Sequence, residues 1–318
     1  MSIIGNTPII KIKYKYNGEP NYLYVKLEYY NLTGSIKDRI VQYIVNDAIQ
    51  KGELKKGQTI VEATSGNTGI SLAAIGAKIK SPVYIFMPDW VSNERKELIK
   101  SYGAKVQTYT IKEGGFSRCI REAKRFTTKE KAFLLNQFSN SNNILAHYNT
   151  TAEEILKQIC EPIGGFVSGV GTGGTIMGIG KKLKKVNNKT IICAVEPDKM
   201  PVLSQNRVIA SHKIEGIGNN FVPELIDKNF IDKVIVVNDD DAINMSKKIA
   251  KELGIGVGIS SGANFLGAVV LSKRVDNPVV TIFVDDNKKY MSTELTSSVE
   301  ENEGYISNKI ELIEWEEI

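Results

Sequence analysis

Short apolar runs alternate with longer stretches of helical periodicity along most of this 318-residue chain. In one example, the apolar run Thr59–Ala63 is followed by apolar residues that recur at helical spacing from Ile70 to Ala77. This alternation is typical of α/β proteins, in which mainly parallel sheets are flanked by helices on both faces. The predicted strands are Thr59–Ala63, Val83–Met87, Val106–Tyr109, Phe133–Leu135, Gly165–Ser168, Ile191–Val195, Val234–Val237 and Val279–Val284.

The length favours two domains, because single hydrophobic cores stop growing near roughly 250–300 residues. The segment Phe138–Asn143 is polar and loop-like, and it predicts a boundary near residues 138–150. The end of the chain is acidic, which predicts a solvated tail or a last helix. Its glutamates are Glu300, Glu301, Glu303, Glu311, Glu314, Glu316 and Glu317.

The composition excludes several other classes of protein. Hydrophobic residues make up 42% and charged residues 24%, so an ordinary globular protein is expected rather than a disordered one. The net charge of +5 is too small to predict nucleic-acid binding. The three cysteines form no CxxC pair and there are only two histidines, so no metal site is expected. Without a visible secretory signal or a run of roughly 20 apolar residues, we expect no membrane span and a cytoplasmic location.

The segment Asn31–Arg39 contains the first candidate for catalysis. Ser35 and Asp38 have the spacing of a capping box, with Ser35 as the N-cap of a helix. Lys37 would then lie in the first turn, where the helix dipole disfavours an ammonium. A lysine that loses its proton easily is what a Schiff-base amine requires, although first-turn lysines are usually just solvated.

Two further segments place small polar residues at the start of a helix. In Glu62–Ile70 a strand ends, and a loop of Thr, Ser, Gly and Asn residues follows. The amides and hydroxyls of such a loop can bind a carboxylate or phosphate, but the same residues are common in ordinary turns. In Gly256–Asn264 a hydroxyl could bind a ligand nitrogen or simply cap the helix.

The segment Ser168–Thr175 is the richest in glycine, and its free backbone amides indicate phosphate binding. It lacks the spacing of a Walker A loop. It does match G-x-G-x-x-G at Gly169, Gly171 and Gly174, and Glu196 follows at the distance expected of a ribose-binding acid. An NAD-dependent oxidoreductase is therefore an alternative, although it leaves Lys37 and the Thr64–Thr68 loop unexplained.

Taken together and in this order, the segments resemble the fold-type II pyridoxal-phosphate enzymes, especially the cysteine synthase (O-acetylserine sulfhydrylase) and cystathionine β-synthase family. The resemblance runs from Ile4–Pro8 to Lys289–Thr293. It implies a fold like the tryptophan synthase β subunit, with the cofactor in the cleft between two domains. The implied domains are a smaller one, 36–145, and a larger one, 1–35 and 146–300, followed by the acidic tail, 301–318.

The resemblance also implies residue roles. Lys37 would hold pyridoxal 5'-phosphate as a Schiff base and act in catalysis. Asn67 would bond the 3'-oxygen of the ring, and Ser260 would face the pyridine nitrogen. The phosphate would be bound by Gly171, Thr172, Gly173, Gly174 and Thr175. The substrate carboxylate would be bound by Thr64, Ser65, Thr68 and Gln137, and Gly216 would lie on a loop that closes near the substrate amine.

The implied reaction is β-replacement on a serine- or cysteine-type amino acid through an α-aminoacrylate, with cysteine synthase as the main interpretation. Two departures from the family pattern leave the nucleophile open. Asn219 and Asn220 stand where cysteine synthases have small residues, and Val284–Lys289 replaces a Pro-Ser-Ser-Gly-Glu-Arg segment. The alternative enzyme consumes cysteine, releases hydrogen sulfide and makes serine, lanthionine or cystathionine. The partners implied are a sulfide, thiol or water nucleophile, a second subunit in a homodimer and a serine acetyltransferase.

Overall fold

The computed structural model describes residues 3–298 and 302–318, which fold around two sheets. The strands are β1 (Ile9–Tyr16), β2 (Glu19–Leu27), β3 (Ile60–Ala63), β4 (Val83–Pro88), β5 (Lys105–Tyr109), β6 (Phe133–Leu134), β7 (Gly165–Gly169), β8 (Ile191–Pro197), β9 (Lys233–Val237), β10 (Val279–Phe283) and β11 (Ile310–Glu317). The helices are α1 (Lys37–Gln50), α2 (Asn67–Ile79), α3 (Asn93–Ser101), α4 (Gly115–Glu130), α5 (Asn142–Ala146), α6 (Ala152–Gln158), α7 (Gly174–Val186), α8 (Val202–Gln205), α9 (Asp239–Leu253) and α10 (Ile259–Ser272). In the described part of the chain, no helix is long and apolar enough to cross a membrane.

The smaller sheet has the strand order β5-β4-β3-β6, and all its strands are parallel. All four residues of the central strand β3 are buried, as expected for a parallel strand covered on both faces. Helices α1 and α2 contribute Ile40, Ile44, Ile70 and Ala73 to the core on one side, and α4 contributes Cys119 and Ala123 to the core on the other. The predicted α/β class is therefore confirmed for this half of the fold.

The larger sheet has the order β11-β1-β2-β10-β7-β8-β9. Strands β2, β10, β7, β8 and β9 run parallel, whereas β1 pairs antiparallel with both β2 and β11. The predicted strands of this sheet are all present, but β1, β2 and β11 were not predicted. In β1, buried apolar residues alternate with partly exposed lysines, a pattern that is typical of an antiparallel strand near the edge of a sheet.

The acidic end of the chain is neither a solvated tail nor a helix, because most of it is strand β11. Its glutamates face lysines of β1: Glu314 lies 2.9 Å from Lys13 Nζ and Glu311 lies 2.9 Å from Lys15 Nζ. Ile310 and Leu312 point to the other face and are buried. Opposite charges across neighbouring strands explain why so acidic a segment pairs here. Glu300 and Glu301 lie outside the described residues.

The predicted boundary near 138–150 is also mostly helical. Only residues up to Ser141 form turns, and α5, a π-helical turn (His147–Thr151) and α6 then follow without a break. The side-chain oxygen of Asn140 accepts a hydrogen bond from the amide of Asn142 at 3.0 Å. The asparagine-rich segment therefore begins a helix rather than forming a linker.

A buried ionic cluster fixes the position of α1. Arg39, on its first turn, is 3% exposed and donates to Glu28 at 2.6 Å and to Glu154 at 2.7 Å. Lys26, at the end of β2, lies 2.8 Å from the other oxygen of Glu154. The cluster joins the segment after β2, helix α1 and helix α6, so it holds the start of α1, and with it Lys37, against the larger sheet.

Replacing Arg39 should destabilise the protein strongly. Arg39→Leu leaves Glu28 buried without its cation, so we expect the free energy of unfolding in urea to fall by about 3–5 kcal/mol. Lys51→Met is the matched control, because it breaks an exposed pair with Asp47 and should cost less than about 1 kcal/mol. Equal losses in the two variants would contradict a structural role for the cluster.

A second buried group, Glu62 on β3, fixes the loop that follows this strand. Its carboxylate accepts hydrogen bonds from the amides of Ala63 at 2.8 Å and Gln137 at 3.1 Å. Burial raises the pKa of Glu62 from 4.5 to about 7, and the backbone donors oppose that rise only in part. The carboxyl group therefore joins the end of β3 to the segment after β6, at the cost of a disfavoured charge.

Glu62 should make stability depend on pH. Because its pKa in the folded protein is raised, its contribution is fully present below about pH 4.5 and is lost as the pH rises towards 7, by at most about 3 kcal/mol. We expect Glu62→Gln to gain stability relative to the wild type between pH 5 and pH 8, measured by urea unfolding. In the exposed control Glu53→Gln, the free energy of unfolding should depend on pH as it does in the wild type. If Glu62→Gln also keeps the wild-type dependence on pH, Glu62 does not have the raised pKa.

Candidate active site

Lys37 is the first residue of α1, as the sequence predicts, but the capping box is absent. The amide of Lys37 donates to the Ser35 hydroxyl at 3.3 Å. Asp38 instead accepts hydrogen bonds from the amide and hydroxyl of Thr33, at 2.7 and 2.6 Å. The Asp38 side chain thus closes a turn before the helix instead of bonding to Ser35. Lys37 remains at the N-terminus of α1.

The environment of Lys37 favours a neutral amine. Burial lowers the pKa of Lys37 from 10.5 to about 8, while the charges of Asp285 and Glu28 oppose that change. Asp285 lies next to the segment that contains Lys37, because Ser35, two residues before Lys37, forms an isolated antiparallel bridge with Asp285. A lysine with a lowered pKa beside an acid can serve as a nucleophile and as a proton acceptor.

Asp285 also brings Asn67 and the start of α10 to this place. Asn67, the first residue of α2, donates through Nδ2 to Asp285 at 2.7 Å, and its Oδ1 is buried without a partner. Asp285 Oδ1 packs closely against Gly258, the N-cap of α10, and Ser260 lies buried in the first turn of that helix. Asn67, the segment just before Lys37 and the start of α10 therefore meet at one buried carboxylate.

The loop after β3 contains the predicted substrate residues. Thr64 and Thr68 are buried and Ser65 is half-buried. Thr68 donates to the side-chain oxygen of Gln137 at 2.7 Å, and Gln137 donates to the carbonyl of Ala63 at 2.9 Å. The structure therefore joins Gln137 to this loop across 69 residues of sequence, as the resemblance implies.

The glycine-rich loop joins β7 to α7, which begins at Gly174. Its backbone comes very close to the loop of Gly216: a Cβ at Gly171 would lie 2.3 Å from the carbonyl oxygen of Gly216. Only glycine permits that approach. With the N-terminus of α7 behind it, the loop has the geometry of a phosphate-binding site.

Two residues that sequence reasoning missed support this loop. Asn143, which is fully buried, donates to the Thr172 hydroxyl at 2.9 Å and to the Gln137 carbonyl at 2.8 Å. His147 Nε2 lies 3.2 Å from the Thr175 hydroxyl, and burial lowers the pKa of His147 well below 6.5, so its ring is neutral. Asn143 thus connects the substrate loop to the phosphate loop.

The two predicted nucleophile-site residues differ in their surroundings. Asn219 donates to the carbonyl of Gly171 at 2.5 Å, which holds its loop against the glycine-rich loop. Asn220 is exposed. Asn219 therefore has a structural partner, whereas Asn220 is accessible from solvent.

Glu196 does not have the geometry that the dinucleotide interpretation requires. Its buried carboxylate accepts hydrogen bonds from the amides of Leu203 at 2.7 Å and Ser204 at 3.1 Å, and from the Ser204 hydroxyl. It caps the short helix α8, so its oxygens are occupied within the protein. Within residues 3–298 and 302–318 there is also no group of three or more His, Cys, Asp or Glu suited to a metal ion.

The residues present fit pyridoxal phosphate. The close approach at Gly171 provides a cradle that a Cβ would fill, and the buried Oδ1 of Asn67 lacks a hydrogen-bond partner. The donor set suits an anionic phosphate at one end and an aldehyde-bearing ring at the other.

Known proteins support the same conclusion. The family model described as "Pyridoxal-phosphate dependent enzyme" matches residues 1–285. Cysteine synthase B of Campylobacter jejuni is 41% identical over 294 residues, which cover 92% of this chain and 96% of that protein. A hydrogen sulfide-producing enzyme from Fusobacterium nucleatum has a similar structure, with a TM-score of 0.95, 47% identity and coverage of 99% and 97% of the two chains.

A cysteine synthase from Entamoeba histolytica is also similar, with a TM-score of 0.86, 35% identity and coverage of 96% of this chain and 92% of that one. The expected fold and cofactor class are thereby confirmed, and the oxidoreductase alternative is not supported. This chain belongs to the family of pyridoxal-phosphate dependent enzymes.

Proposed function

We propose that this protein is a cysteine synthase, which converts O-acetyl-L-serine and sulfide into L-cysteine and acetate by β-replacement. The observation that carries the proposal is that Asn67, the segment before Lys37 and the start of α10, which contains Ser260, meet at Asp285, with loops suited to a carboxylate and a phosphate nearby. The similarity to cysteine synthases over more than nine-tenths of the chain supports the same activity.

Lys37 is the proposed catalytic residue. Its Nζ would hold the cofactor through the aldehyde carbon, and the amine, when free, would accept the proton from the substrate Cα. Its pKa of about 8 supports both tasks, because a substantial fraction is neutral near physiological pH. Pyridoxal phosphate, when bound, supplies an electron sink for the charge left at Cα.

The other proposed cofactor contacts use residues at the ends of three loops. The amides and hydroxyls of Gly171, Thr172, Gly173, Gly174 and Thr175 would bind the phosphate, Asn67 would bond the 3'-oxygen of the ring, and Ser260 would face the ring nitrogen. A neutral hydroxyl there would leave the ring less protonated than an aspartate would, which would favour loss of the β-substituent over transamination or racemisation.

The substrate carboxylate is held by the loop after β3. Thr64, Ser65, Thr68 and Gln137 supply hydroxyl, amide and backbone donors, and Gly216 approaches the substrate amine from the larger sheet. Gln137 is already held by Thr68, Glu62 and Asn143, so it needs little reordering on binding. The two loops together exclude water from the reacting atoms.

A second candidate reaction starts from cysteine, releases hydrogen sulfide and adds water or a second thiol. Two observations favour it. Asn219 and Asn220 are polar where a sulfide site would be small and apolar, and the chain is 47% identical to a hydrogen sulfide-producing enzyme. The exposed Asn220 is the better candidate of the two for contact with a polar nucleophile.

We also propose that the two sheets mark separate domains, 36–145 and the remainder, with the site between them. The remainder is 1–35 and 146–300 together with the residues of β11. We further propose that the protein is a cytoplasmic homodimer and that it contacts a serine acetyltransferase. Size-exclusion chromatography with light scattering, alone and with the acetyltransferase, tests both associations.

The glycine-rich loop gives a test of cofactor binding. In Gly171→Ala the new methyl group would meet the Gly216 carbonyl at 2.3 Å, so the two loops must separate. We expect the dissociation constant for pyridoxal phosphate to rise at least roughly tenfold, measured by absorbance after dialysis. Gly304→Ala, whose methyl group would meet only the end of the Asn302 side chain, is the control. Unchanged cofactor affinity in Gly171→Ala would rule out the phosphate role.

The catalytic proposal is tested by product analysis. Wild-type enzyme should form cysteine from O-acetylserine and sulfide faster than it releases sulfide from cysteine. Lys37→Ala should lose both activities by roughly a thousandfold or more, since it removes the nucleophile and the base together. Lys51→Ala, at the other end of α1, should keep them. Faster release of sulfide from cysteine would favour the second candidate, and an active Lys37→Ala would refute both.

A further inference from the structure

Arg95 lies buried between the two sheets. It is part of α3, which packs on the smaller sheet, and its side chain is 2% exposed. The atoms around it come from the loop after β3, from the segment before Gly216 and from the segment after β10. The first two of these segments contain the loops proposed to bind the substrate carboxylate and amine.

The aliphatic part of Arg95 supports the substrate loop. A Cβ at Gly66 would lie 2.1 Å from Arg95 Cδ, so the backbone of the loop rests directly on this side chain. Gly66 has φ +152°, a conformation that residues with a Cβ rarely adopt. The position of Arg95 therefore sets how far the loop can move away from the substrate.

The guanidinium group of Arg95 contacts three residues in the segments that adjoin the larger sheet. Nη1 donates to Glu215, which immediately precedes Gly216, and Nη2 lies 3.5 Å from Asp285. The guanidinium carbon lies 4.3 Å from the centre of the Tyr290 ring. Tyr290 donates to the same oxygen of Asp285 that accepts the hydrogen bond from Asn67, at 2.9 and 2.7 Å.

The neighbouring residues strengthen this contact between α3 and the larger sheet. The Ser92 hydroxyl donates to the carbonyl of Lys289 at 2.7 Å, and the Ser292 hydroxyl donates to Glu94 at 2.7 Å. The start of α3 is thus fastened to the segment that contains Asp285 and Tyr290. Arg95 is the residue in this contact that reaches both active-site loops.

We propose that Arg95 is a positioning residue that holds the substrate loop and the Gly216 loop in one closed arrangement, with Glu215 as its main partner. The inference rests on the proposed function, because that function gives the two loops their roles towards the carboxylate and the amine. One cation between two carboxylates, Glu215 and Asp285, is suited to this task, since a planar guanidinium can bond both and stack on Tyr290.

The main test uses Arg95→Lys, which keeps the charge but cannot reach both carboxylates or stack in the same way. The loops should then close less often around the substrate. We expect KM for O-acetylserine to rise roughly ten- to hundredfold, with a smaller change in kcat. The dissociation constant for L-alanine should rise equally, measured on the holoenzyme from cofactor absorbance. L-Alanine carries the substrate amine and carboxylate but no leaving group.

Arg118→Lys is the matched control, since Arg118 also stacks on a tyrosine, Tyr109, at 4.5 Å but touches neither active-site loop through the contacts described. It should leave KM and L-alanine binding unchanged. Glu215→Gln keeps the shape of the partner and should raise KM in the same direction. The double variant should be no worse than Arg95→Lys alone, because both remove one interaction.

The inference fails if Arg95→Lys and Glu215→Gln lower the melting temperature while KM and L-alanine binding stay at wild-type values. It also fails if either variant loses the cofactor band, because the residues would then support the cofactor rather than the substrate loops. Should Arg95→Lys not fold, Glu215→Gln decides on the same measurements. A wild-type enzyme without cofactor absorbance or turnover would instead refute the proposed function.

Discussion

The buried carboxylate of Asp285 joins the two halves of the fold at the active site. It receives hydrogen bonds from Asn67 on the smaller sheet's side and from Tyr290 in its own segment, and it pairs with Arg95. A charge removed from water costs several kcal/mol unless partners replace the solvent. All three partners contact Oδ2, and because they come from different elements, pairing this oxygen requires α2, α3 and the segment after β10 to meet.

This requirement explains why Asn67 and the segments that contain Lys37 and Ser260 lie at fixed positions. Lys37 follows the bridge between Ser35 and Asp285, and Ser260 follows Gly258, against which Asp285 packs. The resident acid also limits how far burial lowers the pKa of Lys37, so the amine keeps a value near 8. Burial keeps Lys37 neutral part of the time, whereas the charge of Asp285 favours the protonated amine.

Much of this could be predicted from the sequence, because the signals are local. The glycine-rich loop, the small polar loop after β3 and the first-turn lysine each depend on a few adjacent residues, as do the buried parallel strands. The helix after Gly174 and the loop at Thr64 accordingly lie where the sequence indicates them. The prediction of a capping box was wrong, because the Asp38 carboxylate accepts a hydrogen bond from the amide of Thr33 instead.

The parts that were missed depend on contacts between distant residues. Strand β11 looks like a charged tail until the lysines of β1, about three hundred residues earlier, are placed beside it. Asn143 and Arg95 resemble ordinary polar helix residues in the sequence, and their roles depend on which loops the fold brings to them. The charge of Asp285 was visible in the sequence, but its burial was not.

The central claim is that Lys37 forms the covalent link to pyridoxal phosphate, and mass spectrometry tests it most directly. The purified protein, supplied with the cofactor, is reduced with borohydride, digested and sequenced. The account predicts a pyridoxyl-phosphate adduct on the peptide that contains Lys37 and on no other lysine in substantial yield. An unmodified Lys37 peptide, or an adduct mainly at another lysine, would contradict the account.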